Sequence, residues 1–65
     1  MLDLEKVKTL REKAGLTQEK AAAKAGIGTK QSWSAIESGR KANVTLEILN
    51  RIAKALGVKA RDLLR

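Results

Sequence analysis

The sequence predicts a compact all-α domain of five short helices, and three observations predict it. Its 65 residues include no Pro, and the good helix formers Lys, Ala and Leu are its most frequent residues. No window alternates apolar and polar residues at period two for long enough to form a strand. Gly15, Gly26, Gly39 and Gly57 fall where helices should end, and Gly28 crowds the second break. The helices are therefore short, with connections of roughly 2–8 residues.

Asp3 is placed to cap a first helix, with Leu4, Val7 and Leu10 on one face at i, i+3 and i+6. Ala14-Gly15 closes it with a left-handed cap. Thr17 caps a second helix, whose first turn carries Glu19 towards the positive end of the helix dipole. Lys20 to Ala25 continue it to Gly26. A third helix starts between Gly28 and Gln31, with Thr29 as its cap. It turns Trp33 and Ile36 inward and ends near Gly39. Thr45 caps a fourth, in which Leu46, Leu49, Ile52, Ala53 and Leu56 recur at helical spacing before Gly57. Ala60 to Leu64 supply a fifth, of one or two turns. Residues 1–65 make one domain, whose folded surface scales to about 4,100 Å² with a correspondingly thin core.

Fourteen Lys and Arg face seven Asp and Glu, giving +7 and a pI near 10.3. That balance points to a polyanion, nucleic acid first and an anionic membrane surface second; a merely solubilising surface is the plain alternative. The N-terminus has no apolar signal region, and the apolar runs of about three residues fall far short of the ~20 a spanning helix needs. The expectation is a soluble cytoplasmic protein without a membrane partner, at the nucleoid when bound to DNA.

Enzyme readings fail on inventory. Without Cys there are no disulfides and no zinc-thiolate site; without His the commonest metal ligand and general base are missing. A nucleophile would need Ser with Lys, and neither Ser32 nor Ser34 lies in a catalytic frame. Gly26-Ile27-Gly28 lacks the further glycines and the preceding strand of a phosphate loop. No catalysis, metal, cofactor or small-molecule ligand is expected.

The informative stretch is residues 17–38. Two short helices joined by a Gly-containing turn, the second polar on its outer face, are the content of a helix-turn-helix. Ala22 is small enough for the helices to cross closely, Gly26 supplies the positive φ of the turn, and Ile27 plugs the core beneath. The second of these helices can lie in a major groove ~12 Å wide. With Trp33 and Ile36 inward, Lys30, Gln31, Ser34 and Ala35 project outward. Gln pairs with adenine, Lys reaches guanine, and the Ala methyl meets a thymine methyl. Thr17, Thr29 and Ser32, at helix starts, cap or touch phosphate. Arg40, Lys41 and Asn43 follow in a loop, as phosphate contacts or as ordinary solubility. Ser38, Arg51, Lys59 and Arg61 read as plain surface. Trp33 reads as core, against the sharper alternative of stacking on an unpaired base.

Leu10-Arg11, Gly15-Leu16-Thr17-Gln18-Glu19, Ala22, Gly26-Ile27, Ile36-Glu37-Ser38-Gly39, Leu46, Leu49 and Ile52-Ala53-Lys54-Ala55-Leu56-Gly57-Val58 together resemble the Cro/phage-repressor type helix-turn-helix domain, the XRE family. The resemblance spans about residues 4 to 64. It implies a five-helix DNA-binding domain that acts as a dimer on a two-fold operator. Carried over by position, it implies that Gln18 contacts phosphate and braces a recognition-helix side chain. It also implies that Arg11 and Glu37 pair to fix that helix, and that Gln31 reads a base. Three departures stand out. Gly28-Thr29-Lys30 contains one residue more than the family usually has, which shifts the recognition-helix start. Val44 stands where Pro is common. Ala21 is smaller and Trp33 larger than usual, so the indole is expected over Ala21 and Ala22.

The implied function is a sequence-specific double-stranded-DNA-binding transcriptional regulator, a homodimer repressing by occupancy because no effector domain is attached. Activation through a polymerase contact is a variant of it. The alternative is an antitoxin that covers a toxin partner and autoregulates its operon. The homodimer contact is expected near Asn43–Thr45 and Val58–Arg65.

Overall fold

The computed structural model describes residues 2–40 and 44–64. Four α-helices follow one another: α1 (Leu4–Lys13), α2 (Gln18–Ala25), α3 (Lys30–Glu37) and α4 (Leu46–Leu56). Each starts at a side-chain cap. Asp3 Oδ1 accepts from the Lys6 N–H at 3.2 Å, and Thr17 Oγ1 from the Lys20 N–H at 3.1 Å. Thr29 Oγ1 accepts from the Ser32 N–H at 3.3 Å, and Thr45 Oγ1 from the Ile48 N–H at 3.1 Å. These bonds satisfy N–H groups that a helix start leaves without an intrahelical acceptor.

The fifth helix is corrected. Ala60–Leu63 is a single 3-10 turn, closed by Asp62 N–H to Lys59 O at 2.9 Å and Leu64 N–H to Arg61 O at 3.2 Å. Leu63 is fully buried in the core, and Leu64, next to it, is extended and forms an isolated antiparallel bridge with Leu2. The Asp3 N–H donates to Leu63 O at 2.7 Å beside it. The tighter i→i+3 turn reverses the chain in fewer residues.

The core collects Val7 from α1, Ala21, Ala22 and Ala25 from α2, and Trp33 and Ile36 from α3. Leu49, Ile52, Ala53, Ala55 and Leu56 from α4 and Leu63 from the 3-10 turn complete it. Trp33, Ala21 and Ala22 are all fully buried within it. Leu10, Leu16, Ile27, Ile48 and Val58 pack around the edge. The expected stripe of α4 needs one correction: Leu46 is 70% exposed. It is the first residue of α4, and burial begins one turn later at Leu49. Ala55 is buried instead, because α4 packs against α2 and also against the 3-10 turn, which widens its buried face.

The turn between α2 and α3 is residues 26–29. Gly26 caps α2 in the left-handed region (φ 68°), and Gly28 follows at φ 99°. A side chain at Gly28 would be strained in that conformation. Thr29 then starts α3 at Lys30.

Candidate nucleic-acid interface

The outer side of α3 is small and polar. Lys30, Gln31 and Ser32 are exposed, Ser34 and Ala35 half-buried, and Ser38 just beyond is exposed. The inner side is Trp33 and Ile36. Two helix starts lie together here: a shallow depression is lined by Arg11 of α1, by Thr17, Gln18, Glu19 and Lys20 at the start of α2, and by Lys30 at the start of α3. Thr17 and Thr29 cap only the third N–H of each helix, so the N–H groups of Gln18, Glu19, Lys30 and Gln31 have no intrahelical acceptor. Free N–H groups at the positive end of a helix dipole suit an anion, and phosphate is one such anion.

A carboxylate locks α3 to the scaffold. Arg11 Nε donates to Glu37 Oε2 at 3.2 Å and Arg11 Nη2 to Oε1 at 3.1 Å. Gln18 Nε2 donates to Oε2 at 3.2 Å, and the Trp33 indole Nε1 to the same oxygen at 2.6 Å. Arg11 Nη1 also donates to Leu16 O at 2.8 Å, pinning the connection between α1 and α2. The Arg11 and Glu37 side chains are 11% and 6% exposed, so both charges are largely withdrawn from water. Burial pushes the Glu37 carboxyl up. The hydrogen bonds from Arg11, Trp33 and Gln18, with the Arg11 charge, outweigh it and hold the carboxyl below its usual 4.5.

Gln18 is thus tied to Glu37 through one N–H of its amide, and the second N–H and its own backbone N–H remain for another acceptor. Arg40 lies in the loop just beyond α3 and is exposed. Its guanidinium folds back on α3, with Nε donating to Ser38 Oγ at 3.0 Å and Nη2 to Ser34 Oγ at 3.3 Å. Lys41 and Asn43 lie outside the described residues.

Two roles escaped the sequence reading. The Trp33 indole is a hydrogen-bond donor as well as core, and its i, i+4 spacing to Glu37 was the available signal. Arg51, taken as plain surface, donates from Nη1 to Gly26 O at 3.3 Å, at the end of α2, and pairs with Glu47 at 2.9 Å. The i, i+4 spacing of Glu47 and Arg51 was legible; the approach to Gly26, across the α2–α4 packing, was not.

Two packed helices joined by a four-residue turn, the second tied to the scaffold on its inner side and polar on its outer side, define a helix-turn-helix domain of the kind that binds DNA. A family model described as a helix-turn-helix domain matches residues 5–65, and the chain belongs to that family. Its Cro/phage-repressor resemblance is consistent with this membership. No curated protein and no solved structure matches the chain. No described helix is long and apolar enough to cross a membrane.

Proposed function

We propose that the domain is a sequence-specific transcriptional regulator that places α3 in the major groove of double-stranded DNA. Lys30, Gln31, Ser34 and Ala35 meet base edges. Thr17, Gln18, Thr29, Ser32, Lys41 and Asn43 meet phosphates. One observation carries this reading: the Glu37 cluster fixes α3 against α1 and α2 from inside, while its outer side keeps small polar groups beside two helix starts. A reading head needs fixed backbone and free side chains, because phosphate contacts position and base contacts specify.

A domain with about four base-reading side chains selects too short a site to act alone, so two copies on half-sites one helical turn apart are part of the proposal. Leu46 and Leu64 are the exposed large hydrophobics among the described residues, at 70% and 44%. Leu46 adjoins the Asn43–Thr45 segment and Leu64 lies within residues 58–65, the two regions nominated for the contact between copies. Occupancy of an operator by such a dimer represses by excluding polymerase. The toxin-binding alternative keeps the same DNA interface and uses the exposed Leu46 region for a foreign partner. It predicts a toxin-like reading frame beside this one in the genome.

Selection from random duplex DNA tests the reading. A two-fold sequence should be enriched, and Gln31→Ala should then cost about 1–3 kcal/mol on that sequence and little on random DNA. Equal loss on both would remove α3 from the major groove.

A further inference from the structure

We propose that Arg40 reads a guanine, its guanidinium aimed by Ser34 and Ser38, rather than gripping phosphate from a loop. The inference rests on α3 being the recognition helix. At about 100° per residue, Lys30, Ser34, Ser38, Gln31 and Ala35 span an arc of roughly 140°, so the two serines lie in the middle of the outer face. They are four residues apart and stand one above the other. Arg40, beyond the α3 C-cap at Ser38, turns back over this face and engages both.

The chemistry of the guanidinium sets what remains. It carries five N–H groups in one rigid plane. Ser38 Oγ takes the Nε–H, and Ser34 Oγ takes one N–H of Nη2. Ser38 is itself directed, because its hydroxyl donates to Ala35 O at 3.3 Å and so turns a lone pair towards Arg40. The second N–H of Nη2 and the two of Nη1 stay free. One from each nitrogen forms the end-on fork, two parallel donors that match O6 and N7 of guanine. The ion pairs among the described residues are Arg11–Glu37 and Arg51–Glu47, and neither uses Arg40. The side chain is therefore held before DNA arrives, which reduces the rotamer freedom lost on binding. Its place on the face that carries Gln31, rather than beside α3, puts the fork over base edges.

The test repeats the random-duplex selection with wild type, Arg40→Lys, Arg40→Ala and Ser38→Ala, checking each fold by circular dichroism. Lys keeps the charge but is a point donor without a planar fork. Wild type should enrich guanine at one position of each half-site that Arg40→Lys relaxes. Affinity of Arg40→Lys for the preferred duplex should fall roughly 5- to 150-fold. Its affinity for random DNA and its log–log salt slope should stay unchanged. Ser38→Ala, with all charges kept, should weaken the same single position. Unchanged base preference in Arg40→Lys, with a slope flattened by about 0.9 for every duplex in Arg40→Ala, would make Arg40 a phosphate contact and overturn the proposal. Failure of wild type to enrich any sequence would overturn the recognition-helix reading first, and is distinguishable because it precedes every variant.

Discussion

Glu37 is the residue on which three helices depend. Its carboxylate accepts from Arg11, Gln18 and Trp33, which come from α1, α2 and α3. Glu37→Gln removes the negative charge and leaves the Arg11 guanidinium in a nearly buried site. The expected loss is about 3–5 kcal/mol, against ~0.5 kcal/mol for an ordinary surface change, read from a urea transition. The same residue sets an acid limb. Its folded-state carboxyl lies below the usual 4.5, so its contribution is fully present above the unfolded value and is lost as pH falls through the lowered folded one. Stability measured between about pH 5 and 3 should therefore fall less steeply in Glu37→Gln than in wild type. Parallel slopes would show that Glu37 titrates alike in both states. Trp33 adds a second cost at the same node: Trp33→Ala should lose roughly 3–5 kcal/mol. Trp33→Phe, which keeps an aromatic ring but leaves a Glu37 lone pair without its donor, should lose about 1–3 kcal/mol from the hydrogen bond alone. A wild-type emission spectrum typical of exposed indole would contradict both.

Among the elements, the turn from α2 to α3 decides where the reading face points. Two left-handed glycines bracket Ile27, the second at φ 99°. Gly28→Ala should cost about 1–3 kcal/mol through backbone strain, measured as a lowered thermal midpoint. No heavy atom within 4 Å would meet the new methyl, so the cost would be conformational and not steric. An unchanged midpoint would mean that the turn adopts another shape. The four caps, the left-handed ends at Gly26 and Gly57, and the inward Trp33 and Ile36 were legible from local chemistry. The 3-10 turn was not, because its shape follows from the bridge between Leu2 and Leu64, at opposite ends of the chain.

At the scale of the molecule, the proposed function divides the work: the +7 charge would give affinity for any duplex, and the outer face of α3 the choice among duplexes. The two are separable by salt. Lys41→Ala should flatten the log–log dependence by about 0.9 for each lost phosphate contact on every duplex, while Gln31→Ala should leave the slope alone. Pairing on DNA is tested at Leu46, which is 70% exposed and contributes little to the core. Leu46→Glu should preserve the melting temperature but convert a full two-fold footprint into independent half-site occupancy. A footprint as cooperative as wild type would place the contact elsewhere.

The sequence by itself determined the all-α class, the positions of the four α-helices, the two helices of the helix-turn-helix, and the absence of His and Cys. Periodicity, capping residues and glycines act within a few positions of one another, and inventory needs no geometry at all. Tertiary structure decided which polar side chains are spent inside the protein and which face outward. Gln18 is partly committed to Glu37, Arg51 is drawn to the end of α2, and Arg40 is laid on Ser34 and Ser38. Packing also exposed Leu46 and buried Ala55. The physical reason is reach: a long cation or amide can find partners on several elements, and only the packed arrangement of the helices selects among them.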